Sequence, residues 1–169
     1  ISMLSTIFFQ AWNMSAITEN ESKDRNVFYE KVYGAYESVL FIGSAALILI
    51  VKPVSALLIN YSVYPEYSKS YIYTPLLIAA ALFTCLDLFL ASIYTATNHT
   101  KNAFITILAA FILNILLNYL FIPIFDIQGA ALATFLSYFL CFTIRIIDAR
   151  RFVPFIYNPF ASYGGTALI

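Results

Sequence analysis

The sequence predicts an all-α integral membrane protein, a bundle of about five transmembrane helices, and three observations predict it. The chain of 169 residues is 62% hydrophobic and only 11% charged, with a mean hydropathy of +0.83, whereas soluble domains run near a quarter charged. Its apolar residues gather into five runs, each close to the ~20 residues that a helix needs to cross a hydrocarbon core of about 30 Å. Within the runs the apolar residues are continuous rather than alternating, which argues against a β-barrel. A helix is then the form in which a lipid-exposed segment satisfies its own backbone. Net charge is zero, so no global field invites nucleic acid.

The expected spans are 1–18, 34–51, 71–97, 103–122 and 129–148. The first is expected to be clipped: the chain opens on Ile1, already apolar, with no start methionine and no basic segment, so this run is not a signal peptide. We expect the chain to be part of a longer protein. The stretch "TENESKDRNVFYEK" (18–31) is densely charged and is expected in water. "KPVSALLINYSVYPEYSKS" (52–70) holds two prolines and several tyrosines, which places it in the interface rather than across the membrane. "NHTKN" and "IPIFDIQ" read as hairpin turns. In the second turn Pro123 has no amide proton and is expected to end helix four, Asp126 to take the turn, and Gly129 to open helix five. After Arg151, "FVPFIYNPF" begins a tail, 152–169, that either lies in the interface or starts a further span.

Orientation follows from the basic residues. Seven of the nine, Lys23, Arg25, Lys31, Lys101, Arg145, Arg150 and Arg151, fall in the odd-numbered breaks between spans, and only Lys52 and Lys69 in the even ones. This asymmetry assigns the odd breaks to the cytoplasm.

Along helix five, Gly129, Ala133 and Ser137 recur every fourth residue, with Ala130 and Thr134 beside them. That face admits a neighbouring backbone closely, in the small-xxx-small mode of membrane-helix packing. A helix ending near proline, a short turn and then "GAALAT" resembles the polysaccharide flippase branch of the multidrug/oligosaccharidyl-lipid/polysaccharide exporter superfamily, the O-antigen (Wzx-type) transporters. "ALFTCLDLFLASIYTATNHTKNAFITILAAFILNILLNYLFIP" is similar to the paired helices before that motif, and "QAWNMSAITENESKDRNVFYEKV" to a cytoplasmic link earlier in the second lobe. The resemblance covers most of 1–151. It departs at Asp126, where family members commonly carry glycine, although aspartate tolerates turn conformations better than most residues. The resemblance implies a two-lobed carrier of twelve or more helices, of which this chain is much of the second lobe. It also implies a bacterial inner-membrane location and a cargo of undecaprenyl-diphosphate-linked oligosaccharide repeat units for O-antigen or capsule. Contacts with other polysaccharide-assembly membrane proteins belong to the same expectation.

A carrier needs polar groups at membrane depth. Asp87 lies near the middle of helix three, where a lone carboxylate costs on the order of 3 kcal/mol. It must face a cavity, find a partner or hold a proton, and it is the candidate for coupling transport to protons or a cation. Asn114 and Asn118 follow Ala110 at four-residue spacing on helix four, and Gln10 and Asn13 share a face with Thr6 on helix one. These four amides either line a cavity for glycan hydroxyls or join helices through hydrogen bonds worth about 0.6 kcal/mol each. Glu37 is expected at the solvated rim of helix two. Arg145, Arg150 and Arg151 either meet a lipid diphosphate or anchor a helix end at an anionic leaflet, and Arg145 is spaced to pair with Asp148.

Two other function classes remain open. One is a cation-coupled multidrug-type antiporter of the same superfamily. The other is a membrane-embedded glycan polymerase or acyltransferase, which should show a large extramembrane loop or clustered Arg, His and Asp; His99 is the only histidine. No catalytic residue, cofactor or metal is expected: no phosphate loop, nucleophile–base pair or zinc spacing is present. Cys85 and Cys141 sit in apolar runs as small hydrophobes. The Asn-x-Ser/Thr triplets at Asn13, Asn20, Asn60 and Asn98 are read as chance matches.

Overall fold

A computed structural model describes residues 2–19, 22–59, 67 and 70–154. They form an all-α bundle of five helices, α1 (Ser2–Glu19), α2 (Arg25–Leu58), α3 (Ser70–Ala96), α4 (Thr100–Phe125) and α5 (Ile127–Ala149). Four of them, α2 to α5, are long and apolar enough to cross a membrane, the make-up of a multi-pass membrane protein. The first expected span is a helix but falls short of the others in apolar content, because Gln10, Asn13, Glu19 and interspersed Ser and Thr dilute it. Asn20, Asn60, Lys69 and most of the tail, 155–169, lie outside the described residues.

Three helix boundaries correct the expectations. α2 starts at Arg25 and continues to Leu58, so both the second half of the charged link and the first part of the 52–70 stretch are helical. Pro53 inside it removes only the single hydrogen bond that an amide there would give to Leu49. Pro123 likewise lies within α4, which runs on to Phe125. The chain stops instead at Asp126, whose φ of 52° and ψ of −129° no α-helix contains. That one residue links the two helices: its amide closes α4 on the Ile122 carbonyl at 2.8 Å, and its carbonyl accepts from the Gly129 amide at 3.0 Å to start α5. A positive φ of this kind is glycine territory, and Asp126 holds it under strain.

Gly129 does not open α5, which begins at Ile127; its purpose is proximity. A Cβ there would overlap the Phe121 carbonyl and lie 2.9 Å from the Ile122 amide nitrogen. The start of α5 therefore rests directly on the backbone of α4. From that contact the small face of α5 continues inward, with Gly129, Ala133 and Ser137 all buried.

α3 is the axis of the bundle and packs against α1, α2 and α5, whereas α4 packs chiefly on α5. From Ala80 to Ala96 nearly all of α3 is buried or half-buried, as expected of a helix that is apolar all round. Its α1/α2 side is aromatic. Trp12 stacks on Phe89 at 4.7 Å between centroids, Phe8 on Tyr36 at 4.4 Å, and Tyr33 meets Phe89 edge-on at 5.2 Å. Two polar handles bond inside the cluster: Trp12 Nε1 donates to Ser92 Oγ at 2.7 Å and the Tyr29 hydroxyl to the Ala16 carbonyl at 2.9 Å. Glu37 is not at the rim; with α2 starting twelve residues earlier than Glu37, it is buried among these rings.

Two substitutions test the α4–α5 hinge. Gly129→Ala is expected to lower thermal stability in detergent by about 1–3 kcal/mol through overpacking against backbone. Asp126→Gly is expected to raise it by about 1 kcal/mol by releasing the strained φ.

Candidate functional site

Two polar constellations lie between α3, α4 and α5. The first is built on Asp87 and Arg145, both 4% exposed. Arg145 Nη1 is 4.0 Å from Asp87 Oδ1. The guanidinium spends its donors elsewhere: Nε donates to Thr106 Oγ1 at 2.9 Å, Nη1 to the Asp87 carbonyl at 3.0 Å and Nη2 to the Ala103 carbonyl at 3.1 Å. Asp87 Oδ1 is left without a hydrogen bond, so the carboxylate is held by proximity of charge rather than by a fork of N–H groups. Thr106 completes the cluster by donating to the Asn102 and Ala103 carbonyls, each at 3.0 Å.

This placement corrects the expectation for Arg145. It lies about one turn from the end of α5 yet does not reach outward to an aqueous rim or a lipid headgroup; it turns inward and joins three helices. Asp148, its expected partner, instead accepts from Tyr94 at 3.0 Å and Asn102 at 2.8 Å and pairs with the exposed Arg151 at 3.6 Å. Arg150 and Arg151 are the two arginines of the group that stay at the surface.

The second constellation is a pocket of about 230 Å³ between α4 and α5, lined by Asn114, Thr134, Ser137 and Tyr138 with Ile107, Ala110 and Phe111. Asn118 Nδ2 donates to the Asn114 side-chain oxygen at 3.0 Å and to its carbonyl at 2.8 Å. The hydroxyl protons of Thr134 and Ser137 go to the Ala130 and Ala133 carbonyls at 2.9 and 2.6 Å. The pocket therefore presents hydroxyl lone pairs and an asparagine amide, and among the described residues no charged side chain lines it. Chemically it suits a neutral group that both donates and accepts.

The four amides are not brought together. Asn114 and Asn118 share the stripe of α4 that faces α5, whereas Gln10 is exposed and Asn13 half-buried on α1, across the bundle. Asn13 Oδ1 is buried without a hydrogen-bond partner. Thr106, Thr134 and Tyr138 were not singled out as site residues from the sequence. Hydroxyls are common in membrane helices, and only the register of α4 on α5 distinguishes these. The Asp87–Arg145 pair was legible in principle, since two opposite charges inside neighbouring apolar runs need each other.

The pair predicts a coupled response. Asp87→Leu or Arg145→Met alone strands a buried charge and is expected to cost about 3 kcal/mol, whereas the double variant is expected to recover much of that loss. A double-mutant cycle on unfolding in detergent measures it; strictly additive losses would show that the two charges do not interact.

No family model, no curated protein and no solved structure matches this chain.

Proposed function

We propose that the chain is much of the second lobe of a carrier that moves lipid-diphosphate-linked oligosaccharide units across a bacterial inner membrane, with its basic helix ends in the cytoplasm. The observation that carries this reading is the uncharged, hydrogen-bonding pocket between α4 and α5, on helices of membrane-spanning length. Sugar hydroxyls need both donors and acceptors, and a polar lining inside hydrocarbon is costly enough to call for a purpose. The similarity of the "GAALAT" segment to the O-antigen flippase branch points the same way. A cation-extruding antiporter is the weaker reading, because the pocket has no acidic lining residue among the described residues and Asp87 already faces a guanidinium.

The same reading assigns coupling to Asp87. A proton or a cation reaching its carboxylate replaces Arg145 as the counter-charge.

In the complete transporter, Asn114→Leu is expected to reduce export of the glycan at least tenfold at unchanged protein level, whereas Ile115→Leu on the exposed side of α4 leaves it intact. Surface polysaccharide in a host lacking its own flippase is the readout, and normal export by Asn114→Leu would sink the proposal. Asp87→Asn keeps the shape and removes the charge. It is expected to uncouple export from the ion gradient, and gradient-dependent export by this variant would remove Asp87 from that role.

A further inference from the structure

Away from both polar constellations, α1 and α2 enclose a groove of about 460 Å³ lined by Ser5, Phe8, Val32, Tyr36, Leu40 and Gly43, with Lys31 at one end. We infer that this groove holds one acyl chain of an anionic phospholipid, whose phosphate pairs with Lys31. The inference is independent of the carrier reading.

Three observations identify the occupant. The first is shape. From Lys31 to Gly43 the groove follows α2 for about 18 Å at helical rise, close to the ~15 Å depth of one leaflet's hydrocarbon. The second is chemistry. The walls are mainly ring faces and aliphatic carbons: Phe8 and Tyr36 stack at 4.4 Å, and the Tyr36 hydroxyl is already engaged by Ser5 Oγ at 2.9 Å and the Cys85 carbonyl at 3.2 Å. At Gly43 a Cβ would meet nothing within 4 Å, so the far end is open where a chain terminus needs room. The third is charge. Lys31 is exposed and, among the described residues, is the only charged one of the lining. It lies about 9 Å along α2 from Arg25, within reach of the headgroup level for a side chain that extends its ammonium outward.

The test is native mass spectrometry of the full chain extracted from vesicles of equal phosphatidylglycerol and phosphatidylcholine. One retained lipid is expected, with phosphatidylglycerol preferred about fivefold, the size of effect one basic group has at an anionic surface. Lys31→Gln is expected to keep a bound lipid but lose the preference; as an exposed substitution it should leave folding untouched. Gly43→Leu fills the open end and is expected to abolish retention of both lipids. Unchanged phosphatidylglycerol preference in Lys31→Gln would overturn the inference. So would retention of a polyprenyl phosphate in place of phosphatidylglycerol when both are offered in one vesicle, because the occupant would then be a carrier lipid rather than a membrane phospholipid.

Discussion

Hydrocarbon offers no hydrogen bonds, and that absence organises this molecule more than any single contact does. A polar atom on a spanning helix is costly unless it finds a partner within the protein. The small hydroxyls do so locally: Thr74, Thr84, Thr97, Thr134, Ser137 and Thr143 each donate to the carbonyl four residues back. Larger polar groups cannot, and they set the tertiary contacts. Trp12 reaches Ser92 on α3, Tyr36 reaches across to α1 and α3, and Arg145 gathers α3, α4 and α5 around its guanidinium. Dispersion fills the remaining space, but the directional bonds decide which helix face meets which.

The two halves of the bundle solve that problem differently. On the α1/α2 side, bulky rings with a single polar tip fill the gap between helices and keep the backbones apart. On the α4/α5 side, small residues let backbones touch, as Gly129 does on Phe121. Close approach brings polar residues of the facing stripes within bonding distance, Thr106 of Cys141 and Arg145, and Asn102 of Asp148. A pocket lined by hydroxyls and an amide follows from small residues on α5 opposite asparagines on α4.

Fold class was legible because continuous apolar runs of bilayer length have few alternatives. α3 was placed to within a residue at each end, since Ser70 and the Asn98 turn bracket an unbroken run. The misplaced ends share one cause. Pro123 was read as a stop and the 52–70 stretch as interfacial, yet Pro53 and Pro123 each remove only one backbone bond near a helix terminus, which a long helix tolerates. Arg145 was misassigned for a related reason: proximity to a helix end suggested an aqueous rim, but its side chain is long enough to turn inward to Asp87, and a buried carboxylate attracts it more than the rim does. The face of α4 that bears Asn114 and Asn118 could be derived from four-residue spacing. Which residues of α5 it meets could not, because register between helices is fixed by the Gly129 contact and the single-residue turn at Asp126.

The inward turn of Arg145 bears on how such a chain is made. α3 emerges from the ribosome carrying a carboxylate with no partner, and its guanidinium follows only after α4 and most of α5 have been synthesised. Each charge alone disfavours release of its segment into lipid by about 3 kcal/mol. α3 therefore gains from lingering at the insertion machinery until α5 arrives, so that the three helices leave for the bilayer as one already neutralised unit.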